Sequence, residues 1–196
     1  ISMQYRLPVV KPSNPKWIET VMANFSFFLQ DHAGCERKAS ASAMSLVAKY
    51  PNRVEIIPEL IDTALEEMEH FRDVYKLLQA QGLQLQHEIT EDLYVKELLK
   101  LCRTGRDEHF MDRLLLVSVI ENRAAERFKL IYEHLPEGDL KKFYHQLWAS
   151  EAKHGDLFVK MALNYFDEES VYKRLHELNN AEGEILDAMP ITGKLH

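Results

Sequence analysis

Two Glu-x-x-His segments, Glu67-Met68-Glu69-His70 and Glu151-Ala152-Lys153-His154, each follow a lone glutamate, Glu36 or Glu121, at offsets of 31 and 30 residues. No third Glu-x-x-His occurs in the sequence. On an α-helix residues i and i+3 share a face, so each segment can present a carboxylate and an imidazole to the same point. A carboxylate from the preceding helix completes a set of three, and the near-equal offsets make the chain one helical hairpin used twice. Local likeness supports the repeat: Glu36-Arg37-Lys38-Ala39-Ser40 parallels Glu121-Asn122-Arg123-Ala124-Ala125, and both helices end near a proline, Pro51 or Pro136. A single Glu-x-x-His is most often a solvated helix face. Four positions in register are not explained that way. Glu126 competes with Glu121 but stands five residues further on and therefore on another face; the repeat alignment favours Glu121.

Six nitrogen and oxygen donors without a thiolate suit iron or manganese rather than a closed structural zinc site. Glu36, Glu67, His70, Glu121, Glu151 and His154 together match the ligand pattern of ferritin-like di-iron and di-manganese helical bundles. The expected fold class is accordingly all-α, a ferritin-like four-helix bundle with additional flanking helices. His32, one turn before Glu36, is either a structural histidine, the commoner case, or a partner of that ligand.

The rest of the chain agrees with a helical reading. Only seven glycines and seven prolines punctuate 196 residues, which are read as a single domain spanning 1–196. Pro8, Pro12 and Pro15 keep residues 1–15 extended as an N-terminal arm. Asn14-Pro15 then opens a first helix with an apolar face of Trp17, Ile18, Val21, Met22, Phe25, Phe28 and Leu29, kinked or divided at Gly34 and running to Lys49. A second helix is expected from about Val54 or Pro58 to Gln81, stopped by Gly82. The stretch from Gly82 to Asp107 is too long for a turn, and Leu93, Leu98, Leu99 and Leu101 predict a short helix within it. The third bundle helix spans about Glu108 to His134, and the fourth follows Pro136-Glu137-Gly138 to about Tyr165. A further amphipathic helix covers about Glu168 to Leu186, and 190–196 is an irregular tail.

Two isolated cysteines, Cys35 and Cys102, cannot make a disulfide framework, a zinc ribbon or an iron–sulfur cluster. The first residues lack the apolar core of a signal peptide and no stretch reaches a membrane span, so a cytoplasmic protein without membrane association is expected. A net charge of −7 argues against a generally basic nucleic-acid-binding surface. A local patch is still possible, and Lys96, Lys100, Arg103 and Arg106 are the RNA-binding candidates, against the alternative of a plain solvated helix face.

The neighbours of the ligands narrow the family. Soluble di-iron hydroxylases and radical-generating reductase subunits commonly carry Asp-Glu-x-Arg-His, whereas this chain has Glu66-Glu67-Met68-Glu69-His70 and Ser150-Glu151-Ala152-Lys153-His154, without the Asp or the Arg. Val74 stands where a radical tyrosine would. Bacterioferritin and rubrerythrin share the repeated plan and supply the alternative function, an iron-oxidising or peroxide-scavenging protein; the 50 residues between His70 and Glu121 exceed what a compact storage subunit needs. Taken whole, the chain resembles the MiaE family of tRNA hydroxylases. The resemblance rests on His32-Ala33-Gly34-Cys35-Glu36-Arg37-Lys38-Ala39, Ala64-Leu65-Glu66-Glu67-Met68-Glu69-His70-Phe71, Ile120 through Phe128, and Ser150 through His154. It implies an O2-dependent, non-haem di-iron monooxygenase with two iron ions as cofactor and O2 as co-substrate. The substrate it implies is 2-methylthio-N6-isopentenyladenosine in the tRNA anticodon stem-loop, hydroxylated on the isopentenyl group. Electrons would come from an external reductase or ferredoxin, since the chain has no flavin fingerprint, and the protein would be a monomer or dimer.

Overall fold

In a computed structural model, residues 4–88 and 90–196 are described, and all regular structure among them is helical. The order is α1 (Pro15–Ala23), α2 (Phe25–Lys49), α3 (Ile57–Ala80), α4 (Leu93–Leu99), α5 (Arg106–His134), α6 (Asp139–Leu163) and α7 (Glu168–Ala188). Residues 4–14 and 190–196 hold no helix; the first three residues of the arm lie outside the described residues. No described helix is long and apolar enough to cross a membrane. The chain divides into two compact units. One comprises the arm, Glu91–Ile191 and His196; the other comprises Lys16–Thr90 and Thr192–Leu195.

In the unit of α1 to α3, the first long helix divides at Asn24 and not at Gly34. The Asn24 side chain accepts a hydrogen bond from the Phe27 amide and so starts a new helix. A Cβ on Gly34 would meet nothing within 4 Å, and α2 runs through that position without interruption. Trp17 packs edge-on against Phe28, and its indole N–H donates to the Lys194 carbonyl at 2.8 Å, which binds the tail to α1. Small residues let α2 and α3 approach: buried Ser40 donates its hydroxyl to the Ala64 carbonyl at 2.8 Å. The predicted stop at Gly82 is a Schellman turn. Gly82 has φ 68°, its amide reaches the Gln79 carbonyl at 3.0 Å, and Leu83 N–H reaches Leu78 at 2.9 Å.

The other unit is built on the α5–α6 hairpin, with α4 and α7 against α5. Its interior holds charge as well as hydrocarbon. Arg123, fully buried, donates Nε and Nη2 to the two oxygens of buried Glu182 at 2.7 and 2.9 Å, and Nη1 to Glu126 at 3.0 Å. The Tyr94 hydroxyl donates to the same Glu182 at 2.9 Å, so one carboxylate joins α4, α5 and α7. Asp112, also fully buried, accepts from Arg103 and Arg174, holding the α4–α5 connection against α7. The arm is fastened along its length: Tyr5 and Arg6 amides donate to Asp156 at 2.8 Å, Asn179 donates to the Pro8 carbonyl at 2.8 Å, and the Ser13 amide donates to Glu126 at 2.7 Å.

Candidate metal centre

Each unit gathers one Glu plus one Glu-x-x-His. In the α2–α3 hairpin, Glu36, Glu67 and His70 offer ligand atoms within 4.8 Å of one another. His70 Nδ1 stands 3.7 Å from Glu36 Oε2 and 3.6 Å from Glu67 Oε2. The carboxylates are buried, at 4% and 1% exposure. Ser40, one turn after Glu36, and Ala64, one turn before Glu67, carry a hydrogen bond that ties the two helices together beside these carboxylates.

Buried acids so close repel one another. Burial, with the charge of Glu67, raises the Glu36 carboxyl well above its ordinary value. For His70, burial pulls the imidazole down, but Glu36 and Glu67 outweigh it and raise it to about 11. A cation at these atoms would replace that proton as the partner of the two carboxylates. His32 is the partner that the one-turn spacing left undecided. Its Nε2 is 2.7 Å from Glu36 Oε1, and its ring lies against Phe28 with centroids 5.6 Å apart. Burial lowers its imidazole to about 3, so it is neutral and can donate one N–H to Glu36, leaving Oε2 for another bond.

In the α5–α6 hairpin the same set recurs. Glu121, Glu151 and His154 offer ligand atoms within 4.8 Å of one another, with His154 Nδ1 3.6 Å from Glu151 Oε2. Glu151 and His154 are almost fully buried. A serine again crosses between the helices: Ser118, one turn before Glu121, donates to the Gly155 carbonyl at 2.7 Å, beside His154. Gly155 leaves room for the arm, since a Cβ there would lie 3.1 Å from Arg6 Cδ. Glu126 has another task. It accepts from the Ser13 amide and hydroxyl and from Arg123, and so anchors the arm. Nothing in the spacing of Glu126 could have shown this, because Ser13 lies 113 residues away.

The RNA-binding candidates are differently placed. Lys96 pairs with Glu91 at 3.0 Å and Lys100 with Glu97, both on exposed surface. Arg103 turns inward to Asp112, and Arg106 is the exposed first residue of α5.

Each triad presents two carboxylates and one imidazole, an oxygen-rich donor set without sulfur that fits iron or manganese. Burial of the acids strengthens the fit, since charge removed from water needs a counter-ion.

The family model described as tRNA-(MS[2]IO[6]A)-hydroxylase (MiaE) matches residues 5–196. A tRNA 2-(methylsulfanyl)-N(6)-isopentenyladenosine(37) hydroxylase of Pseudomonas putida is 34% identical over 177 residues, covering 90% of this chain and 85% of that protein. The hydroxylase of the same name from Salmonella typhimurium is 25% identical, covering 89% of this chain and 82% of its own length. Among solved structures, a Synechococcus protein with aldehyde deformylating oxygenase activity superposes with a TM-score of 0.90 at 31% identity, covering 96% of this chain and 94% of that one. The fold class is the expected one, all-α and ferritin-like, with four long helices and flanking helices. A match of the family model over nearly the whole length, with a relative above 30% identity, shows that this chain belongs to the MiaE family.

Proposed function

We propose that this protein hydroxylates the isopentenyl group of 2-methylthio-N6-isopentenyladenosine in the anticodon stem-loop of tRNA, using O2. The observation that carries the reading is the near full-length likeness to hydroxylases of that name in a chain that keeps both Glu/Glu-x-x-His triads. In this reading 1–196 is one di-iron domain, and Glu36, Glu67, His70, Glu121, Glu151 and His154 hold two iron ions. Those ions would supply O2 activation, with one oxygen atom inserted into an isopentenyl C–H bond as hydroxyl and the other leaving as water after two electrons and two protons are delivered. His32 holds one oxygen of Glu36, so that ligand is oriented before metal binds. The serine bridges keep the paired ligand helices from sliding. Electrons come from a separate reductase or ferredoxin, and the protein works in the cytoplasm as a monomer or dimer. In this reading Lys96, Lys100, Arg103 and Arg106 are the candidate phosphate contacts, the first three alongside the carboxylates of Glu91, Glu97 and Asp112.

The test is nucleoside mass spectrometry of tRNA incubated with iron-loaded, chemically reduced protein and O2. A gain of one oxygen on the isopentenyl adenosine, lost in Glu67→Ala, is expected. Deformylation of an aldehyde substrate, with every tRNA nucleoside unchanged, would replace this reading by the activity of the Synechococcus protein. Mineralisation of iron by a large hollow assembly would replace it by iron storage.

A further inference from the structure

The two helical hairpins repeat their ligands but not the residues around them. Glu36 has His32 one turn before it, bonded at 2.7 Å, whereas the matching position before Glu121 is Val117, whose side chain has no polar atom. After His70 come Phe71 and Arg72; after His154 come Gly155 and Asp156. Asn122 stands where the first hairpin has Arg37. The last three of these departures gather around one side chain, Arg6 of the N-terminal arm.

Arg6 lies across α5 and α6 at the level of the second triad. Its Nε donates to Asn122 Oδ1 at 3.2 Å, beside Glu121 on α5. Its Nη1 donates to the carbonyl of Ala152, the residue after Glu151, at 3.3 Å, and to Asp156 Oδ2, two residues after His154, at 2.7 Å. Where the first hairpin has the bulk of Phe71, Gly155 leaves the space that the Arg6 stem occupies. The arm backbone completes the joint. Tyr5 and Arg6 amides both donate to Asp156 Oδ1 at 2.8 Å, Asn122 returns a hydrogen bond to the Leu7 carbonyl, and the Tyr172 hydroxyl of α7 donates to the Tyr5 carbonyl at 2.9 Å.

We propose that the arm is a clamp on the second metal half, with Arg6 the positioning residue that holds Glu121, Glu151 and His154 at ligand spacing; this rests on the di-iron reading above. Glu121 and Glu151 come from different helices, and their ligand atoms lie within 4.8 Å of each other. Without a cation two carboxylates so placed repel and drive α5 and α6 apart. A guanidinium with several donors in a fixed plane resists that movement by bonding both helices at once. In the α2–α3 half, His32 on Glu36 and Ser40 on Ala64 serve the same end. The two ions therefore depend unequally on the arm. By linkage, whatever affinity arm docking adds to the second ion, that ion returns to arm docking.

The experiment uses the full chain and ferrous iron alone, titrated without oxygen against a competing chelator. Arg6→Met keeps the apolar stem and removes the donors. It should weaken one of the two ions by about 10–100-fold, the usual loss when a group behind a ligand is removed, and leave the other unchanged. Arg6→Lys keeps a cation for Asp156 but cannot also span Asn122, and should fall between. The effect should persist in His70→Ala, which leaves the α5–α6 triad whole, and vanish in His154→Ala. Glu126→Ala frees the arm only at Ser13 and should bind both ions as the wild type does. A second measurement needs no substitution: hydrogen exchange at the Tyr5 and Arg6 amides should slow by about tenfold or more on iron binding, which a strap without a link to the ligands would not show. Iron held as tightly by Arg6→Met as by the wild type, or arm exchange indifferent to iron, would overturn the clamp and leave the di-iron reading standing. A folded wild-type chain that binds no ferrous iron would overturn both.

Discussion

Replacing Glu182 by Gln should cost more stability than almost any other single change in this chain. Glu182 is fully buried, and its two oxygens accept from Arg123 Nε and Nη2 at 2.7 and 2.9 Å and from the Tyr94 hydroxyl at 2.9 Å. Glutamine keeps the volume, so no cavity forms. It removes the negative charge and sets an amide N–H against a guanidinium. Arg123 is itself fully buried and would keep only Glu126, at 3.0 Å, as an anionic partner. Breaking one side of a buried pair costs about 3–5 kcal/mol, because the charge left behind is uncompensated. For a chain of this size that is roughly 6–20 °C in Tm. Thermal and urea unfolding of both proteins at pH 7 measures it. A companion variant, Arg123→Met/Glu182→Leu/Tyr94→Phe, removes both charges and the hydroxyl together, and should recover more than half of the loss despite carrying three changes. A cost below about 1 kcal/mol for Glu182→Gln, or a triple variant no better than the single one, would refute the argument from an uncompensated charge.

Glu121→Ala should lose iron, measured by metal analysis, whereas Glu126→Ala should keep it and instead release the arm, seen as faster proteolysis before residue 15. Asp112→Asn should flatten the acid limb of the stability curve. Burial works to raise the Asp112 carboxyl, but hydrogen bonds from Arg103 and Arg174 outweigh it and hold it below its ordinary 3.8, so its contribution is complete above that value and is lost as pH falls through the lower folded one. Urea midpoints from pH 7 to pH 2 should show the wild type losing the most between about pH 4 and pH 2. Chelation of a metal-loaded sample should lower Tm, by the equivalent of about 2.7 kcal/mol if metal had been present at 100 times its Kd, and an unchanged Tm on full metal removal would sink the metal reading.

The two candidate triads were legible in the sequence because helical periodicity converts spacing into facing without any tertiary knowledge. Glu67 with His70, and Glu151 with His154, had to share faces once their segments were helical, and the repeat supplied Glu36 and Glu121. The stop at Gly82 was legible for a similar local reason, since φ 68° at a helix end favours glycine. The break at Asn24 was missed although its signal is equally local: a capping asparagine outweighs a mid-helix glycine, which costs helix stability without forcing a bend.

What sequence spacing could not decide were the partners of polar groups brought together from distant segments. Glu126 was a rival ligand by residue type, and only folding showed its oxygens occupied by Ser13, 113 residues away. The basic run from Lys96 to Arg106 looked cationic in one dimension, yet Glu91, Glu97 and Asp112 answer three of its four charges. Periodicity reports which face a residue occupies. Which groups meet across helices is settled by packing and by the need of each buried charge or donor for a partner, and those are properties of the folded chain alone.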